Sequence, residues 1–197
     1  MNTARGENMG TDITPRRFNT REEWRQWLQD NHDKESGIWF VFPLKVSGED
    51  AISYNDAVEE ALCFGWIDST IRSLDEKHKI QRFSPRNPKS SYSQSNKERL
   101  RWLANEGLIH PAVVKNISLL LSGTFVHPED ILEAIRKDEI AWTYFQQFSN
   151  SYKRIRIAYI DAARERPDEF TKRLNHFIDR TRKGKLIRGY GGIDKYY

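Results

Sequence analysis

The sequence predicts an α+β fold: a small antiparallel sheet of about three strands packed with helices, followed by an α-helical C-terminal lobe. Three observations carry this expectation. An apolar run bounded by Gly37 and Pro43, and a period-two segment after Gly65 with a returning partner beyond a turn, supply strands. Capped segments with apolar residues at i, i+3, i+4 supply helices. Beyond Pro111 only the helical pattern continues.

Thr20-Arg21-Glu22-Glu23 fits a capping box, with Glu23 reaching back to the Thr20 N–H. Trp24, Trp27 and Leu28 then share one face of a helix from about Thr20 to Asn31. Ile38-Trp39-Phe40-Val41-Phe42 is aromatic and branched, so it reads as a buried strand, and Ser47-Gly48-Glu49-Asp50 as a loop. Ser53 caps a second helix whose buried positions are Ala57, Val58, Ala61 and Leu62, with Gly65 as the stop signal. From Trp66 to Ser73 the residues alternate: Trp66, Asp68, Thr70 and Arg72 point one way, Ile67, Ser69 and Ile71 the other. Leu74–Lys77 turns the chain, and His78–Ser84 returns as the partner strand.

Ser84–Ser93 holds two prolines and is a loop or linker. Ser95-Asn96-Lys97-Glu98 caps a helix with Leu100, Leu103 and Ala104 inward, ended by Gly107. Pro111 opens the next, with Val113, Val114, Ile117, Leu120 and Leu121 as apolar positions. Pro128 starts a short helix, and Trp142, Tyr144, Phe145 and Phe148 make an aromatic patch after it. Helices near Ser151–Arg166 and from Pro167 follow, and the Gly- and Tyr-rich end from Gly184 reads as a tail that can dock its tyrosines. The expected organisation is a disordered segment 1–12, an α+β domain 13–110, a helical lobe 111–186 and a tail 187–197.

At 197 residues the chain is long enough for one domain with a small second lobe. Aromatic residues reach 12%, which supplies large apolar area per residue despite 30% charged residues. A lone cysteine, Cys63, excludes an intramolecular disulfide and a thiolate zinc cluster; between Leu62 and Phe64 it reads as a buried, inert thiol. The histidines are scattered without ligand spacing, so neither a metal nor a cofactor is expected. No apolar run approaches the roughly 18 residues of a spanning helix. The polar N-terminus lacks a secretory pattern, so the expected localisation is cytoplasmic.

Net charge is +4, unevenly distributed: Lys153–Arg188 holds 12 Lys/Arg against 5 Asp/Glu. Lys153, Arg154, Arg156, Arg180, Arg182 and Lys183 are therefore candidate nucleic-acid contacts; the alternative is a solvated helix face. The Asp56, Glu59 and Glu60 group reads as charges favouring a helix N-terminus.

The richest constellation lies between Trp66 and Ser93. A short turn centred near Asp75–Glu76 places Asp68 opposite Arg82 and Arg72 opposite His78. Asp68 would orient Arg82, and Arg72 and Arg86 would stay free for an anion, since arginine forks pair bidentately with carboxylate or phosphate. Ser84 adds a hydroxyl and Trp66 an aromatic wall. The alternative is a cross-strand salt bridge on a solvent-facing sheet.

Ala61–Ser69, with Arg72-Ser73-Leu74-Asp75 and Gln81–Arg86 after it, resembles the YdeI/OmpD-associated proteins, also labelled bacteriocin-protection proteins. Ser93–Asn96 and Gly107–Pro111 are similar to the next blocks of that family. Tyr159–Arg164 and Arg182-Lys183-Gly184 are similar to its helical terminal domain. The resemblance runs over about residues 18–186 and is most specific in the central block. It implies a stress- or resistance-associated protein and carries over no catalytic residue. The leading expectation is thus a binding protein for a small anionic ligand or a protein partner, with Trp66, Asp68, Arg72, Arg82, Ser84 and Arg86 forming an anion-accepting groove. The alternatives are a nucleic-acid-binding protein and an enzyme on a small anionic substrate with Asp68 as general base.

Overall fold

The computed structural model describes residues 14–188 and 194–196. The expected disordered segment 1–12 lies outside them, as do residues 189–193 and 197 of the expected tail. The chain divides into two compact units, Met1–Pro88 and Lys89–Tyr197.

The first unit holds α1 (Arg21–Asn31), β1 (Ile38–Pro43), α2 (Tyr54–Cys63), β2 (Trp66–Ser73) and β3 (His78–Pro85). The strands form one antiparallel sheet in the order β1-β3-β2. Thr20 caps α1 by accepting the Glu23 N–H, and Glu23 reaches back to the Asn19 N–H, one residue earlier than a capping box requires. Ser53 caps α2 in the same way through the Asp56 N–H. The buried face of the sheet carries Ile38, Phe40, Phe42 and Phe83, with Trp24 of α1 edge-on to Phe40 and Phe83; Leu28 of α1 and Ala57, Val58, Ala61 and Leu62 of α2 are buried in the same unit. Two tryptophans deep in this core satisfy their indole N–H groups: Trp24 donates to the Ala57 carbonyl and Trp66 to the His32 carbonyl, each at 3.0 Å.

The strand register differs from the expectation, and the difference has two causes. Asp75 Oδ1 accepts the N–H groups of Lys77 and His78, which keeps 74–78 in the turn and pairs Ser73 with Lys79. A bulge between Asp68 and Ile71 then shifts the ladder again. Asp68 therefore lies opposite Phe83 instead of Arg82, and Arg72 opposite Ile80 instead of His78. A one-residue slip changes the face of a side chain. Trp66 and Asp68 consequently belong to the helix-covered side, whereas Arg72 belongs to the open one.

The second unit is helical: α3 (Gln94–Asn105), α4 (Pro111–Ser122), α5 (Glu129–Arg136), α6 (Glu139–Gln147), α7 (Asn150–Asp161) and α8 (Pro167–Arg182). The cap of α3 is Ser93, not Ser95, which is buried. Ile131, Ile135, Phe145, Tyr152, Ile157, Ile160 and Phe177 form one core across α5 to α8. Of the apolar positions expected for α4, only Val113 and Ile117 are buried, and Val114 is exposed. Tyr196 docks against Trp102, ring centroids 5.6 Å apart, as the tail reading anticipates for its tyrosines. Among the described residues no helix is long and apolar enough to cross a membrane.

Candidate functional site

The open face of the sheet gathers three of the expected site residues. Side chains alternate along a strand, so Arg82 and Ser84 on β3 share the face that Trp39 and Val41 present from β1 and Ile67 from β2. The pairs Trp39↔Arg82, Val41↔Ile80 and Ile67↔Ser84 fix this arrangement. Past the bulge Arg72 joins the same face, and its guanidinium reaches across β3 to lie over the Trp39 ring at 5.1 Å. The Arg82 guanidinium lies over Gly37, where a Cβ would sit 3.1 Å from its Nη2. Neither Arg72 nor Arg82 is in an ion pair with a described carboxylate. Trp39 is the member that the sequence reading missed; its place in an aromatic run concealed that alternate residues of the run face outward.

The other expected members stand elsewhere. Trp66 is 1% exposed and belongs to the core, so it walls no groove. Asp68 accepts the Tyr54 hydroxyl at 2.6 Å and a longer contact from Gln81, and it does not orient Arg82. Arg86 lies just past the end of β3, its backbone N–H bound to the Gly65 carbonyl and its guanidinium to the Asn87 carbonyl.

The basic helices do not present their expected residues as one open cationic face. Arg154 forks onto Glu98, with Nε and Nη2 each 2.7 Å from a carboxylate oxygen. Arg156 is 3% exposed and donates to the Ile187 carbonyl. Arg182 pairs with Asp138, Lys183 with Asp179, and Lys153 reaches the Gln146 carbonyl. Arg180 is half-buried on α8. The count of basic residues in this segment is therefore largely answered by acids and carbonyls within the unit.

Glu59 and Glu60 are also placed differently from the expectation. Their side chains are 0% and 2% exposed, buried between α2 and α1. Arg21 donates to Asp56, Glu59 and Glu60, and Arg25 donates to Glu60. These are interhelical clamps and not helix-terminus charges; the matching signal in the sequence is the i, i+4 spacing of Arg21 and Arg25 on the facing helix. Cys63, one turn on, is fully buried as expected, and burial pushes its thiol up to about 12.

Comparison with known families divides the chain as its contacts do not. Residues 16–116 match the family described as a domain of unknown function (DUF8412). Residues 124–184 match the family described as bacteriocin-protection, YdeI or OmpD-associated. The likeness to that family thus lies in the helical C-terminal part, and the central block around Trp66–Ser93 falls within the other match. No curated protein and no solved structure matches the chain.

Proposed function

We propose that this chain, which belongs to the DUF8412 family and carries a YdeI/OmpD-associated, bacteriocin-protection domain, is a binding protein whose open sheet face holds an anionic ligand. The observation that carries this reading is the pair Arg72 and Arg82 on one face, with no described carboxylate paired to either. Arg72 is exposed and Arg82 half-buried, so water reaches both until a ligand replaces it. Trp39 supports Arg72 from one side, which limits the freedom that its guanidinium loses on binding. Ser84, two residues along β3 from Arg82, supplies a hydroxyl on the same face. A paired set of guanidiniums on an open face suits a phosphate or carboxylate presented at the end of a larger ligand.

The probe is pyrophosphate, titrated into isotopically labelled protein. The Trp39 indole N–H and the Arg82 Nε–H resonances are expected to shift together and saturate. Arg72→Ala and Arg82→Ala are each expected to weaken the affinity about tenfold, the scale of one charge-assisted hydrogen bond. An affinity unchanged in both variants, or shifts confined to the helical unit, overturns the reading. A resistance-associated role for such binding is supported by the name of the family that residues 124–184 match.

A further inference from the structure

The helical unit contains a cleft of about 390 Å³ between α7, α8 and residues 187–188. Its size is within the range of small-molecule sites, about 300–1,000 Å³. The floor is apolar: Ile160 and Phe177 are each 1% exposed, and Ile187 closes one side. Over it, the Arg173 guanidinium stacks on Tyr159, 3.8 Å from the ring centroid, and ties back to Glu169 and to the Tyr159 carbonyl. Glu169 is the one carboxylate among the lining residues, and that bond engages it. Two cations line the cleft besides: Lys172 is exposed on α8, and Arg188 is exposed on the chain after α8, with the His176 imidazole one turn along from Lys172. No described carboxylate stands within ion-pair distance of Lys172 or Arg188, although Lys172, after Arg173, helps to hold the Glu169 carboxyl below its ordinary range.

An apolar floor beside two exposed cations selects for two properties at once. A purely polar anion gains nothing from the floor. A purely apolar molecule leaves the rim charges unanswered and gains only the area term. We propose that this cleft is a binding site for a small amphipathic anion, an aromatic or aliphatic body bearing one carboxylate, sulfonate or phosphate. The body lies on Ile160 and Phe177 beside the Tyr159–Arg173 stack, and the anionic group meets Lys172 and Arg188. The site lies within 156–188 and shares no residue with the sheet face, so either can fail without the other.

The experiment uses the whole chain and two fluorescent probes: 8-anilinonaphthalene-1-sulfonate, and N-phenyl-1-naphthylamine, which has the same apolar body without the charge. The sulfonate is expected to bind saturably at one site and to show magnetisation transfer from the Tyr159 and Phe177 rings. Lys172→Glu combined with Arg188→Glu is expected to weaken it about tenfold or more and to leave the neutral probe unchanged. Both residues are exposed, so the substitutions leave the core intact, and a thermal melt confirms this. Lys137→Glu, exposed on another part of the unit, makes the same change in net charge as either rim substitution alone and is expected to leave both probes unaffected. Sulfonate affinity unchanged by the double variant, equal weakening by Lys137→Glu, or equal affinity for the neutral probe overturns the proposal. Arg72→Glu on the sheet is expected to leave the sulfonate affinity unchanged.

Discussion

Replacing Arg154 with alanine separates a structural arginine from a ligand-facing one. The side chain of Glu98 is 3% exposed and that of Arg154 23%. Removing one partner of a fully buried ion pair costs about 3–5 kcal/mol, because the other charge is left uncompensated. An exposed pair contributes about 0–1 kcal/mol. Arg154 stands between these limits: it is partly solvated, and without it Glu98 keeps Arg101 at 2.8 Å and Gln94 at 2.6 Å. The expected loss for Arg154→Ala is therefore about 2 kcal/mol. For a unit of about a hundred residues that lowers the melting temperature by about 8–16 °C. Glu98→Ala costs more, about 3–4 kcal/mol, since two guanidiniums then face each other around a vacated carboxylate site. Lys153→Ala is expected to change stability by less than about 0.5 kcal/mol. Circular-dichroism melts of the three variants, paired with nucleic-acid titrations at two salt concentrations, give the answer. A melting temperature for Arg154→Ala within about 2 °C of the parent, together with a loss of nucleic-acid affinity, refutes the structural assignment and restores Arg154 as a phosphate contact.

Further outcomes follow from the same geometry. The His78 imidazole bonds Asp75 at 2.9 Å and Glu49 at 3.2 Å, and the Asp75 carboxylate, followed by Glu49, raises its pKa. A raised folded-state pKa contributes stability that is fully present below the unfolded value near 6.5 and is lost as pH rises through the folded value. Proton NMR is thus expected to show His78 titrating above the ordinary histidine range, and Asp75→Asn to lower that midpoint; a midpoint at or below the ordinary value contradicts the contact. Gly184 has φ +63, and a Cβ there would lie 2.9 Å from the Tyr144 ring. Gly184→Ala is expected to cost about 1–2 kcal/mol in a urea titration, the scale of the left-handed penalty for an L-residue, and a neutral result would show that the segment relaxes. Cys63 is expected to be silent to a thiol reagent at neutral pH until denaturant is added, because only the thiolate reacts and burial suppresses it. Rapid labelling of the native protein contradicts that burial.

Local signals carried most of the fold. Ser53, Pro111 and Pro167 marked helix starts, Gly65 and Gly107 marked ends, and the boundaries follow them closely. What the sequence concealed were quantities that depend on distant partners. The strand register turned on an Asp75 side chain closing the turn and on a bulge near Ser69–Thr70 that no glycine announces. That slip moved Asp68 away from Arg82 and dissolved half of the expected groove while leaving Arg72, Arg82 and Ser84 together. Charge content misled in the same way. Counting lysines and arginines from Lys153 onward finds an excess, but it does not reveal that Glu98 and Asp138, far back in the chain, answer Arg154 and Arg182. Glu59 and Glu60 read as helix-terminus charges because their arginines lie on another helix.

Salt distinguishes the two proposed anion sites by physical cause. On the sheet face Arg72 and Arg82 act through charge on an open surface, and screening over about 8 Å at physiological ionic strength weakens such contacts steadily. In the cleft the charges stand above Ile160 and Phe177, and the apolar share of the affinity is indifferent to screening and is strengthened by excluded salts such as sulfate. Sodium chloride should therefore reduce pyrophosphate binding on the sheet more steeply than sulfonate binding in the cleft. A sulfonate affinity that vanishes as sodium chloride is raised would mean that the apolar floor contributes nothing to binding, leaving Lys172 and Arg188 as two surface cations instead of the rim of a site.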